Sequence, residues 1–129
     1  IHGDLDPEVA KTLFQIGECH RARTEIDQAE EYLQKALETY QAISEDKSKD
    51  PNIGFCYLSL GLIQDSKDDF DQSKELLEKA KQIFINHHGP GSYQEAECYH
   101  NIGSLYRNAN DFEVALNYYE KADAILEKL

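Results

Sequence analysis

The apolar positions of this chain recur on two scales, every three to four residues and again every forty-odd residues. Val9, Leu13, Ile16 and Gly17 share one helical face and predict a helix from Pro7 to about Ala22. Arg23–Glu25 form a tight turn into a second helix over about 26–44, and Lys47–Asp50 form a polar loop. The pattern restarts at Pro51, with a helix to about Ser66, a turn through Lys67–Asp69 and a partner helix from Phe70 to about His87. His88-Gly89-Pro90-Gly91 ends that helix, and a third pair runs to about Arg107 and from Phe112 to the end.

The helix starts carry their own chemistry. Asp6-Pro7 and Asp50-Pro51 each place a capping carboxylate before a proline, whose missing N–H costs nothing at the first helical position. Ser92 and Glu95 form a capping box. At the hairpin turns, Asp68 and Asn110 tolerate left-handed backbone, and Thr24 tolerates it less well.

The longer period is a repeat. Leu13, Tyr57 and Tyr99 each precede an apolar–glycine pair by three residues: Ile16-Gly17, Leu60-Gly61 and Ile102-Gly103. At constant offsets there follow a small residue (Ala29, Ser73, Ala115), a large one (Leu33, Leu77, Tyr119) and an alanine (Ala36, Ala80, Ala122). Such self-similarity describes an all-α solenoid of three antiparallel helix hairpins, in which each unit buries its apolar face against its neighbours. The glycines mark where the two helices of a hairpin approach most closely. The expected units span about 7–46, 51–88 and 92–129.

Composition narrows the function. With 25 acidic against 13 basic residues, the net charge of −12 repels nucleic-acid phosphates and anionic lipid headgroups, so neither partner is expected. No apolar run approaches the roughly 20 residues that cross a bilayer. Three cysteines, Cys19, Cys56 and Cys98, all fall in predicted helices. An odd number there fits reduced thiols and a cytoplasmic setting better than a disulfide framework. The chain starts at Ile1 and contains no methionine, which suggests a piece of a longer protein.

No constellation for chemistry assembles. His87-His88 are adjacent on a helix and diverge by about 100°, and no cysteine or carboxylate cluster supports a metal site. Cys19 and His20 diverge in the same way, and a thiol nucleophile needs a base within hydrogen-bond reach. Cys56 and Cys98 occupy equivalent positions and are expected to pack against the preceding unit. Tyr32, Tyr40, Tyr106, Tyr118 and Tyr119 sit at helical spacing as core residues. No catalytic residue, cofactor or metal is expected.

The repeated pattern resembles the tetratricopeptide repeat over nearly the whole chain. Gly17 and Gly61 are 44 residues apart and Gly61 and Gly103 are 42 apart, against a usual repeat of about 34. Gln41, Ile85 and Glu127 stand where a terminating proline is common, so the second helices run on. Long repeats opening on Asp-Pro or Gly-Pro, as in Gly3-Asp4-Leu5-Asp6-Pro7-Glu8-Val9-Ala10, resemble the kinesin-light-chain and nephrocystin type. The resemblance implies a right-handed superhelix whose first helices line a concave protein-binding face.

On that face the resemblance places Lys11, Phe14, Gln15, Glu18 and Arg21 in the first unit. It places Phe55, Leu58, Ser59, Leu62 and Asp65 in the second, and Glu97, His100, Asn101, Ser104 and Arg107 in the third. Phe14, Phe55, Leu58 and Leu62 are expected to form an exposed apolar strip that anchors a peptide or helical segment of a protein partner. Gln15, His100, Asn101 and Arg107 would orient it. Replacing Leu58 and Leu62 by glutamate is then expected to abolish capture and spare the helices. The cationic clamp by which related domains hold acidic chaperone tails is missing, since Phe14, Glu18, Ser59, Glu97 and Asn101 occupy its positions. Light-chain-like grooves use asparagines and basic residues, matched here by Asn101, more loosely by Gln15 and Ser59, and by Arg21 and Arg107.

The resulting expectation is a non-catalytic interaction module. The alternatives are an assembly subunit, forming a homo-oligomer or larger complex through its last helix, and a regulatory domain of a motor or enzyme. That last helix carries Val114, Tyr118 and Leu129, which a capped solenoid would cover.

Overall fold

Six helices build the computed structural model, which describes residues 6–129. They are α1 (Pro7–Ala22), α2 (Ile26–Ile43), α3 (Pro51–Ser66), α4 (Phe70–His88), α5 (Tyr93–Asn108) and α6 (Phe112–Glu127). The stretch Gly3–Leu5, part of the repeat-opening resemblance, lies outside the described residues. The helices pair as three hairpins, α1–α2, α3–α4 and α5–α6, and successive hairpins stack through α2 on α3 and α4 on α5. Among the described residues there is no strand.

The predicted caps form. Asp6 and Asp50 carboxylates accept from the N–H groups of Glu8 at 2.8 Å and Asn52 at 2.9 Å. Ser92 Oγ accepts from Glu95 N–H at 3.1 Å, while the Glu95 carboxylate reaches back to Gly91 N–H at 2.8 Å. Each hairpin turn has one left-handed residue, Thr24, Asp68 or Asn110, at φ 59°, 62° and 65°. The next N–H bonds back to the carbonyl of His20, Gln64 or Tyr106, at 2.9 Å in each case, closing the turn in the same way three times. Lys47–Lys49, expected as loop, instead wind into one 3-10 turn because Asp46 caps Ser48. Asn86 of α4 then ties that turn down by donating to the Ser48 carbonyl at 2.7 Å.

The glycines act where the repeat predicts. A Cβ on Gly17 would lie 2.7 Å from Leu33 Cγ, one on Gly61 3.0 Å from Leu77 Cγ, and one on Gly103 3.1 Å from the Tyr119 ring. Below Gly61, the buried Ser73 hydroxyl donates to its carbonyl at 2.7 Å.

Two apolar clusters fill the interior. One joins Leu33, Leu37 and Tyr40 of α2 to Ile53, Cys56, Leu60 and Ile63 of α3. The other joins Leu58 of α3 and Leu77, Ala80 and Phe84 of α4 to Cys98, Ile102 and Leu105 of α5, with Tyr57 touching both. Cys56 and Cys98 thus pack as expected against the preceding hairpin. Fully burying each Leu, Ile or Phe contributes about 1.5–3 kcal/mol. The burial is uneven: α3 buries eight residues, whereas α1 buries only Ala10 and Gly17, and α6 only Ala115 and Ala122.

Candidate partner-binding groove

The first helices of successive hairpins run side by side, α1 beside α3 and α3 beside α5. Between α1 and α3 lies an open cavity of about 470 Å³, lined by Pro7, Glu8, Lys11, Phe14, Gln15, Tyr40, Asn52 and Phe55. Three of the expected groove residues, Phe14, Gln15 and Phe55, therefore meet at one place. Phe14 packs partly on the first cluster, and Phe55 meets the buried Phe84 ring edge to face, 4.9 Å between centroids. Both rings are held from beneath while part of each stays open to solvent. Lys11, Gln15 and Asn52 are exposed around them.

Tyr40, from a second helix, forms part of the cavity wall and was expected only in the core. Its offset from Gly17 equals that of Phe84 from Gly61, a position where a ring lies beneath the first helices.

The expected apolar strip is corrected at its centre. Leu58 is only 5% exposed and Ser59 4%. Leu58 packs with Cys98, Ile102 and Leu105, because α5 lies over that face of α3. Leu58→Glu would insert a carboxylate into a closed core, so it tests folding rather than binding. Leu62 remains half-buried beside it.

Other expected contacts are already committed within the molecule. The Arg21 guanidinium donates to both Glu18 carboxylate oxygens, at 2.9 and 3.0 Å, along one helix. Ser104 shares a hydrogen bond of 2.9 Å with Tyr119 OH inside the third hairpin. Arg107 is exposed. His100 and Asn101 do not join the α1–α3 cavity. They line a second hollow of about 300 Å³ with Tyr93, Ala96, Glu97, Ala122 and Leu126, at the outer end of the third hairpin.

Charge in the groove is balanced locally rather than uniformly acidic. Burial pushes the Glu97 carboxyl above its ordinary range, against the opposing pull of His100 and Arg21. Burial and neighbouring Asp68 likewise raise Asp65.

On α6 the exposed apolar residues differ from those expected. Tyr118 is half-buried, stacked on Tyr106 at 5.6 Å, and Val114 is half-buried, whereas Leu129 is exposed as expected. Phe112, Leu116 and Leu126 are the further open positions. Among the described residues no helix is long and apolar enough to cross a membrane, and no group of His, Cys, Asp or Glu side chains could hold a metal ion.

Structural comparison extends this picture. BtubC (BKLC) from P. vanneervenii superposes with a TM-score of 0.84 at 24% identity, over 97% of this chain and 49% of that one. MamA gives 0.70 at 25% identity, covering 98% and 63% of the two chains. A Podosopora anserina putative kinesin light chain with nearly identical TPR-like repeats gives 0.74 at 16% identity, covering 97% and 58%. The chain thus spans about half to two thirds of the length of these structures. No curated protein sequence matches it. Two tetratricopeptide-repeat family models match, one over residues 11–42 and one over 52–128, and the chain belongs to the tetratricopeptide-repeat family.

Proposed function

We propose that the chain is a non-catalytic module that binds a peptide or helical segment of a protein partner in the groove between α1 and α3. The observation that carries this reading is the pair of half-open rings, Phe14 and Phe55. Each comes from a different hairpin, and both are fixed from below and face one cavity. Preformed apolar anchors lower the ordering cost of binding, and the surrounding Lys11, Gln15 and Asn52 supply directional contacts. An apolar side chain flanked by polar groups fits this site better than a strongly acidic tail, because Glu8 stands at the rim and Arg21 is held by Glu18.

The test is affinity capture from lysate with the parent chain and a Lys11→Glu/Asn52→Glu variant, read by mass spectrometry. Both positions are exposed, and a carboxylate at the start of α3 is compatible with the helix dipole, so circular dichroism should be unchanged. A protein held by the parent and released by the variant supports the groove. Equal retention by both, or by neither, sinks the assignment.

A further inference from the structure

We infer that this chain stacks head to tail on a second copy of itself, with the outer face of α1 in one copy seated on the α5–α6 end of the next. This goes beyond the groove reading and stands on different surfaces. It rests on the internal repeat: the chain makes the same kind of junction twice, and its two ends present the two halves of a third.

The receiving half is at α6. In the internal junctions, Tyr40 and Phe84 are 7% and 0% exposed, shut in by the following hairpin; their equivalent, Leu126, is 45% exposed. Phe70 meets Tyr106 of the next first helix edge to face at 5.1 Å, whereas its equivalent, Phe112, is 63% exposed. Glu30 bonds Gln64 and Lys67 across the first junction, and Lys74 lies over the Tyr106 ring across the second. Leu116 is their equivalent, and it is 57% exposed. Each of these α6 positions therefore repeats one that elsewhere touches the next first helix.

The entering half is on α1. Cys56 and Cys98 are fully buried against the preceding hairpin, while Thr12 at the same offset is exposed. Ile63 and Leu105 are buried, while Cys19 in their place is exposed. Thr12, Ile16, Cys19, His20 and Arg23 line an open depression of about 300 Å³. This face carries no carboxylate at the junction positions, in a chain with 25 acidic residues.

Charge fixes the register. Lys67 pairs with Asp27 and Glu30 in the first junction. Arg23 occupies the Lys67 position on the entering face, and exposed Glu113 occupies the Asp27 position on the receiving one. Leu116 replaces Glu30, so the third junction exchanges one ion pair for apolar contact with Ile16 and His20. Arg23 now makes only a surface contact with Glu25, which costs little to give up. Because the two faces differ, the contact does not close on itself, and longer stacks grow with concentration. The net charge of −12 on each copy opposes approach, so association strengthens with added salt.

Sedimentation velocity over a wide concentration range, at high ionic strength, tests this with two exposed-site variants. Leu116→Glu blocks the receiving face and Thr12→Glu the entering face. The parent's mass should rise with concentration, and each variant alone should associate at least about tenfold more weakly. Mixed, the two variants should form a one-to-one dimer and nothing larger, since each retains the face the other has lost. A parent that stays monomeric throughout overturns the proposal and leaves these faces to other helices. Self-association of Thr12→Glu as strong as the parent's also overturns it, because the pairing would then be end face to end face.

Discussion

Gly54→Ala tests how tightly the second hairpin is packed. The equivalent positions hold alanine in the other two hairpins, Ala10 and Ala96, so by helix propensity the change should gain about 1 kcal/mol. The structure opposes it. A Cβ on Gly54 would lie 2.8 Å from Phe84 Cε1, 3.0 Å from Cζ and 3.2 Å from Ile83 Cγ2. Phe84 is fully buried and braced by Phe55, so its rigid ring cannot withdraw without moving a neighbour. Overpacking of this kind costs about 1–3 kcal/mol, leaving a net loss of about 1 kcal/mol and a urea midpoint roughly 0.5 M lower. The third hairpin suggests the remedy, for Ala96 there stands with Leu126 in place of the ring. Phe84→Leu alone should cost about 1–2 kcal/mol through lost packing. Combined with Gly54→Ala it should cost less than the sum of the singles by about 1 kcal/mol. A single variant that stabilises the chain, or a double variant additive within about 0.5 kcal/mol, would refute the packing argument.

Two further outcomes follow from burial. Desolvation pushes the Cys56 and Cys98 thiols up to about 12, so only about one molecule in ten thousand is thiolate at each near pH 8. Exposed Cys19 should therefore be the one thiol that reacts with an aromatic disulfide reagent in the native chain, the other two following on denaturation; three fast equivalents would contradict the packing. The raised Glu97 carboxyl means that the native state holds this proton more tightly than the unfolded chain does. Ionised Glu97 thus costs stability above its folded pKa, and the cost disappears below the ordinary carboxylate pKa. Glu97→Gln should raise the melting temperature at neutral pH and leave it unchanged in acid, whereas a lower value at neutral pH would show that Arg21 and His100 depend on the charge.

The caps, turns and hairpin contacts were legible because each depends on residues a few positions apart. Asp-Pro announces α1 and α3, and the glycines locate the close approaches to Leu33, Leu77 and Tyr119. Groove exposure depends on how neighbouring hairpins cross, and no single helix records that. Leu58 shows the difference: its equivalents are Phe14, half-open in the groove, and exposed His100, yet Leu58 itself is covered by α5. A signal was present in the run Phe55-Cys56-Tyr57-Leu58-Ser59-Leu60, apolar nearly all round, since such a helix is packed on more than one side. Tyr40 escaped notice as a groove residue because its ring arrives from a second helix, beneath the face that the repeat pattern describes.

The uneven burial of the six helices sets an order of opening. With only Ala10 and Gly17 buried on α1, and Ala115 and Ala122 on α6, the outer helices detach at far less cost than α3, whose eight buried residues tie two hairpins together. The chain is thus a rigid keystone flanked by two hinged leaves. Anything that settles on an outer leaf gives up part of its binding free energy to hold that leaf closed, and in return slows its exchange with solvent. Occupancy at one end of the molecule would then be readable as protection of backbone amides along the entire outer helix, including turns the visitor never touches.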